Sequence, residues 1–67
     1  MKNAALLKEK YPEGTKICLI HMFDTQAVPP GTIGVVRKVD DMGTIHINWE
    51  TGSTLGLIDG LDSFTVL

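Results

Sequence analysis

Val39-Asp40-Asp41-Met42-Gly43-Thr44-Ile45-His46-Ile47-Asn48-Trp49 is the stretch that decides how this chain folds. From Thr44 onward the residues alternate, with Ile45, Ile47 and Trp49 on one parity and Thr44, His46 and Asn48 on the other. Successive side chains of a strand point to opposite faces, so this pattern predicts a strand buried on one side and wetted on the other. Asp40-Asp41-Met42-Gly43 ahead of it predicts a hairpin turn, with Gly43 as the residue of positive φ. Thr32–Val39 is the strand that enters the turn, carrying Ile33, Val35, Val36 and Val39. Gly34 in its middle marks a bend or a close approach of backbones.

Reading toward the N-terminus, Asp24–Gly31 is a loop that ends in Val28-Pro29-Pro30-Gly31. Pro30 and Gly31 suit the two central positions of a type II turn, one fixing φ near −65° and the other supplying a positive φ. Thr15–Phe23 has apolar residues on both parities: Ile17, Leu19 and Phe23 with His21, against Cys18, Ile20 and Met22. That predicts a buried strand, or one bulged near Ile20 so that a later side chain returns to the core. Residues 3–10 contain good helix formers behind Asn3, and Pro12 with Gly14 stops the pattern. They predict a short helix docking its Leu6/Leu7 side, or a frayed arm. Toward the C-terminus, Glu50-Thr51-Gly52-Ser53 is a tight turn and Thr54–Ile58 a fourth strand with Leu55 and Leu57 inward. Asp59-Gly60-Leu61-Asp62 turns again, and Phe64–Leu67 closes as a fifth strand.

The chain has 67 residues. A chain of that size buries about 60% of the surface it exposes when unfolded, and its stability is about 3–10 kcal/mol. Five short strands in so little chain cannot form two sandwich layers; the sheet should curl until its edges nearly meet. The expected fold is therefore all-β: a small five-stranded SH3-like, partly open barrel over residues 13–67, preceded by a short N-terminal helix or arm over 1–12. The expected core is Ile17, Leu19, Val36, Val39, Ile45, Ile47, Leu55, Leu57, Phe64 and Val66.

Six Lys and Arg against eight Asp and Glu give a net charge of −2. Most of the positive charge lies early, in Lys2, Lys8, Lys10 and Lys16. Beyond them, only Arg37 and Lys38 oppose Asp24, Asp40, Asp41, Glu50, Asp59 and Asp62. A binder of phosphate backbones needs a basic stripe, so this acidic body disfavours nucleic acid and favours a protein partner. Cys18 is alone, which excludes an internal disulfide and, with no signal-peptide pattern or membrane-length apolar run, points to the cytoplasm.

Four stretches carry a family resemblance: Val28-Pro29-Pro30-Gly31-Thr32-Ile33-Gly34-Val35-Val36, the hairpin from Val39 to Trp49, Gly52-Ser53-Thr54-Leu55 and Asp62-Ser63-Phe64-Thr65-Val66. From about Tyr11 to its end the chain is similar to the domain of unknown function numbered 4314. The resemblance implies an SH3-like barrel, and a setting in Gram-positive bacteria, their phages and integrative elements. It implies no activity. Glu50 departs from the Asp or Asn that members often carry there.

No nucleophile stands beside a base and an orienting group, so the residues predict no enzyme and no cofactor. Ser53 and Ser63 lie in turns without a nucleophile elbow, and Asp40/Asp41 and Asp59/Asp62 suit turn hydrogen bonding. Cys18, His21, Asp24 and His46 are the candidate metal ligands, but they lack paired ligand spacing. On regular strand geometry Cys18 and His21 also face opposite ways unless a bulge intervenes. The candidate protein-binding residues are Phe23, Asp24, Val28 and Pro29 on the long loop, Asp40 and Asp41 at the hairpin, and Trp49, whose shared parity with Ile45 and Ile47 favours the core instead. The expected function is non-catalytic binding of a larger protein partner, one concrete form being an inhibitor that occludes a host defence nuclease complex. A nucleic-acid-binding barrel and a metal-binding protein are the alternatives. The protomer is expected to be a monomer or weak homodimer.

Overall fold

A computed structural model of the chain describes residues 4–23 and 27–67. The elements run α1 (Ala4–Lys10), β1 (Lys16–His21), β2 (Ile33–Val39), β3 (Thr44–Trp49), β4 (Leu57–Ile58) and β5 (Ser63–Val66). All strand pairs are antiparallel, and they form one sheet in the order β4-β3-β2-β1-β5. The all-β class with a short N-terminal helix is as expected. The sheet is open: β4 and β5 are its edges, and an isolated bridge from Asp59 to Asp62 lies in the chain between them.

The hairpin forms as its residues dictate. Gly43 (φ 85°) donates its amide to the Asp40 carbonyl (3.0 Å), and Asp40 donates to the Thr44 carbonyl (3.0 Å). Ile45, Ile47 and Trp49 are buried together on one face, opposite Val39, Val36 and Gly34 on β2. Gly34 is there because the backbones come close. A Cβ at that position would collide with the Ile47 side chain and lie 2.7 Å from the Trp49 ring. β1 slips its register against β5 between Leu19 and His21, so Ile20 is a bulge. Ile20 is turned out, and Met22 comes back into the core.

Two turns repeat one another in sequence and in bonding. Pro12-Glu13-Gly14-Thr15 and Pro29-Pro30-Gly31-Thr32 each place glycine at positive φ (93° and 89°). In each, the threonine amide and hydroxyl both donate to the proline carbonyl: 3.1 and 2.7 Å in the first turn, 3.1 and 2.6 Å in the second. Each turn then docks on one buried residue of a neighbouring strand. Gly14 donates to the Val36 carbonyl and Val36 donates to that of Thr15, both at 2.8 Å; Gly31 and Thr32 treat Leu19 in the same way (2.7 and 2.9 Å). A β-carbon at these glycines would meet open space, so the left-handed backbone alone demands glycine.

The core joins Ile17, Leu19, Val36, Val39, Ile45, Ile47, Trp49 and Leu57 with Leu7, Tyr11, Met22 and Val28. Leu55 and Phe64, both expected inside, pack against this cluster half-buried. Val66 departs from expectation. It shares the inward parity of its partner Ile17, but β5 is the sheet edge and the side chain is 52% exposed. Thr54 to Gly56 also lie outside the fourth strand, which contains only Leu57 and Ile58. The N-terminal segment is a helix that seats Leu7, while Leu6 faces out and Tyr11 meets Phe64 edge-on at 5.3 Å between ring centroids. No described helix is long and apolar enough to cross a membrane.

Candidate functional site

The proposed long-loop residues part company in the structure. Phe23 is 69% exposed, Pro29 is exposed and Val28 is buried in the core. Asp24 lies outside the described residues. Trp49 is also core: its indole is buried, and Nε1 donates to the Leu55 carbonyl (2.9 Å). Val28 and Trp49 therefore present almost no side-chain surface to a partner: Trp49 has the apolar parity that the sheet buries, and Val28 is packed into the core from the loop.

Asp40 and Asp41 belong to the opposite sort of site, one already satisfied from within. Asp40 Oδ1 accepts the amides of Met42 and Thr44, both at 2.9 Å, and Oδ2 accepts Nε2 of His46 at 2.9 Å. The His46 bond, then the Thr44 amide, with a further contribution from the Met42 amide, hold the Asp40 carboxyl below its ordinary value against an opposing desolvation. Asp41 pairs with Lys8 at 2.8 Å, tying α1 to the hairpin, and this bond lowers its pKa also. Asp40 is thereby committed to its own hairpin, while Asp41 makes an exposed pair with a distant lysine.

The candidate metal ligands are dispersed. His21 and His46 lie on β1 and β3, which β2 separates, so the two strands do not pair. His46 is held by Asp40, and His21 stands edge-on to the Phe23 ring, 4.5 Å between centroids. The bulge at Ile20 does bring Cys18 and His21 onto the same parity, opposite Thr65 and Ser63 of β5. Among the described residues, no group of three His, Cys, Asp or Glu side chains is arranged to hold a metal ion.

What the structure does assemble is a junction around Asp62. Its Oδ1 accepts the Phe23 amide (3.1 Å) and its Oδ2 accepts the Ile58 amide (2.9 Å). Leu61 and Asp62 return their amides to the Ile58 carbonyl at 3.1 and 3.0 Å. One carboxylate thus gathers the end of β1, the end of β4 and the turn before β5. Three side chains at this junction remain in water: Phe23 at 69%, Leu61 at 54% and Ile58 at 40% exposure. Asp59 and Asp62 bracket Leu61 in the turn, so the junction is acidic. Sequence reasoning named Phe23 and missed Ile58, Leu61 and Asp62. The available signal was Leu61 itself, a large apolar residue inside an otherwise polar Asp-Gly-Leu-Asp turn. The 39-residue separation of Phe23 from Asp62 left no local trace.

Comparison with known proteins agrees with the resemblance read from the motifs and extends it to the whole chain. No curated protein and no solved structure matches it. The model of the family described as Domain of unknown function (DUF4314) matches residues 1–67, and the chain belongs to that family.

Proposed function

We propose that this protein is a non-catalytic binding module that docks a larger protein through Phe23, Ile58 and Leu61. The carrying observation is that the Asp62 carboxylate accepts the Phe23 and Ile58 amides, so that one group fixes the backbones of segments carrying the exposed side chains of Phe23, Ile58 and Leu61. Scattered exposed apolar residues are ordinary; a group fixed by one buttress on separate elements is the geometry of an anchor. Asp59 and Asp62 complement a partner that offers an apolar socket with basic groups around it. The phage and integrative-element setting implied by the family resemblance makes a host nuclease complex, occluded in the cytoplasm, the concrete partner class. A nucleic-acid role draws less support, because beyond Lys16 only Arg37 and Lys38 oppose six acidic residues.

The test is affinity capture from a host lysate with the wild-type chain and with Phe23→Asp/Leu61→Asp. A defined protein held by the wild type and lost by the folded double variant is the expected result. Equal retention by both, or a low-salt mobility shift with nucleic acid that the double variant preserves, overturns the reading.

A further inference from the structure

The two edges of the open sheet are unequal: β4 has two residues and β5 has four. The Leu67 amide donates to the Lys16 carbonyl (2.9 Å), and Cys18 stands opposite Thr65 in the same register. Antiparallel ladders alternate, so Thr65 also turns its amide and carbonyl toward β1, whereas Phe64 and Val66 turn theirs toward the open edge. Natural edges of this kind are guarded by Lys, Pro, an inward charge or a bulge. From Ser63 to Leu67 the sequence Ser-Phe-Thr-Val-Leu holds no charged residue and no proline. The bulge near this strand lies on β1, at Ile20.

We propose that β5 is the dimerisation edge of this protein, pairing antiparallel with β5 of a second copy about a two-fold axis at Thr65. That register makes the exposed strand complementary to itself. Phe64 of each copy exchanges both backbone hydrogen bonds with Val66 of the other, four bonds in all. Thr65 meets its own counterpart in the closer, non-hydrogen-bonded pair, where threonines pair well. On the inward parity the pairing sets Phe64 of one copy beside Val66 of the other, a favourable aromatic and β-branched pair. It also covers Val66, which points with the core and yet is 52% exposed. A two-fold contact of this type closes on itself and yields a continuous ten-stranded sheet, not a fibre. The occupant is a second copy because register, neutrality and side-chain pairing are all met by the strand itself. The docking side chains Phe23, Ile58 and Leu61 take no part.

Sedimentation equilibrium of the full chain, from micromolar to millimolar concentration, tests the proposal. The apparent mass should rise from 7.3 kDa toward twice that value. Val66→Pro removes an amide that does not serve β1, so the variant should fold and remain at monomer mass. Val66→Lys, a natural edge guard, should do the same and serves as the second variant if the proline variant unfolds; circular dichroism reports folding in both. A wild type that stays monomeric throughout overturns the proposal, as does a folded Val66 variant that still dimerises. A monomer that instead takes up an unrelated extended peptide along β5 overturns the choice of occupant.

Discussion

Asp40 and Asp62 use the same side chain to opposite ends. Asp40 closes its own hairpin, accepting amides two and four residues ahead and the ring of His46 six ahead. The strands it joins bury Val39 against Ile45. Asp62 reaches across 39 residues to Phe23 and back four to Ile58, and the side chains around it remain in water. A carboxylate satisfied locally finishes a fold; one that staples distant segments also fixes whatever they carry. The hairpin is where this small chain spends its apolar residues on stability, and the Asp62 junction is where it can leave some exposed.

The contrast can be broken first at the hairpin. Trp49→Ala should cost about 3–5 kcal/mol, most of what a domain of this size possesses, and denaturant titration should find it largely unfolded. Gly34→Ala should cost about 1–3 kcal/mol by forcing a methyl against Ile47 and Trp49, read as a lower unfolding midpoint. At the junction, Asp62→Ala should cost about 1–2 kcal/mol by unpairing two amides, with faster hydrogen exchange at Phe23 and Ile58.

A gentler test uses pH. Because the folded Asp40 carboxyl titrates below its unfolded value, its contribution is present above the ordinary carboxylate range and is lost as pH falls through the lowered folded value. The melting temperature should therefore drop on acidification, and Asp40→Asn should flatten part of that drop. The smallest effect on stability belongs to Phe23→Ala and Leu61→Ala. Each should fall within about 0.5 kcal/mol because the side chains are exposed, while partner capture is lost. A large stability cost at either would place these residues among the structural ones and erase the difference between the two regions.

Local rules carried the reading where partners are neighbours in sequence. The Asp40–Gly43 turn, the glycine at 31, the bulge at Ile20 and the tight fit at Gly34 each follow from a few adjacent residues. In the sequence Pro12 and Gly14 read only as a helix stop; that they form the same turn as Pro29–Thr32, and that the two turns clamp Val36 and Leu19, depends on strands far along the chain. Leu7, Tyr11, Met22 and Val28 complete the core from outside the regular strands, where no periodicity announces burial. Asp62 resembles any turn aspartate until Phe23 is beside it.

The sequence by itself determined the strands, their turns and the face each strand buries, because alternation and turn chemistry act over a few residues. Only the tertiary structure decided that Val66 points inward yet is left half in water, and that Phe23, Ile58 and Leu61 meet around Asp62. Those outcomes depend on which distant segments meet, and nothing in a short window of residues records the meeting.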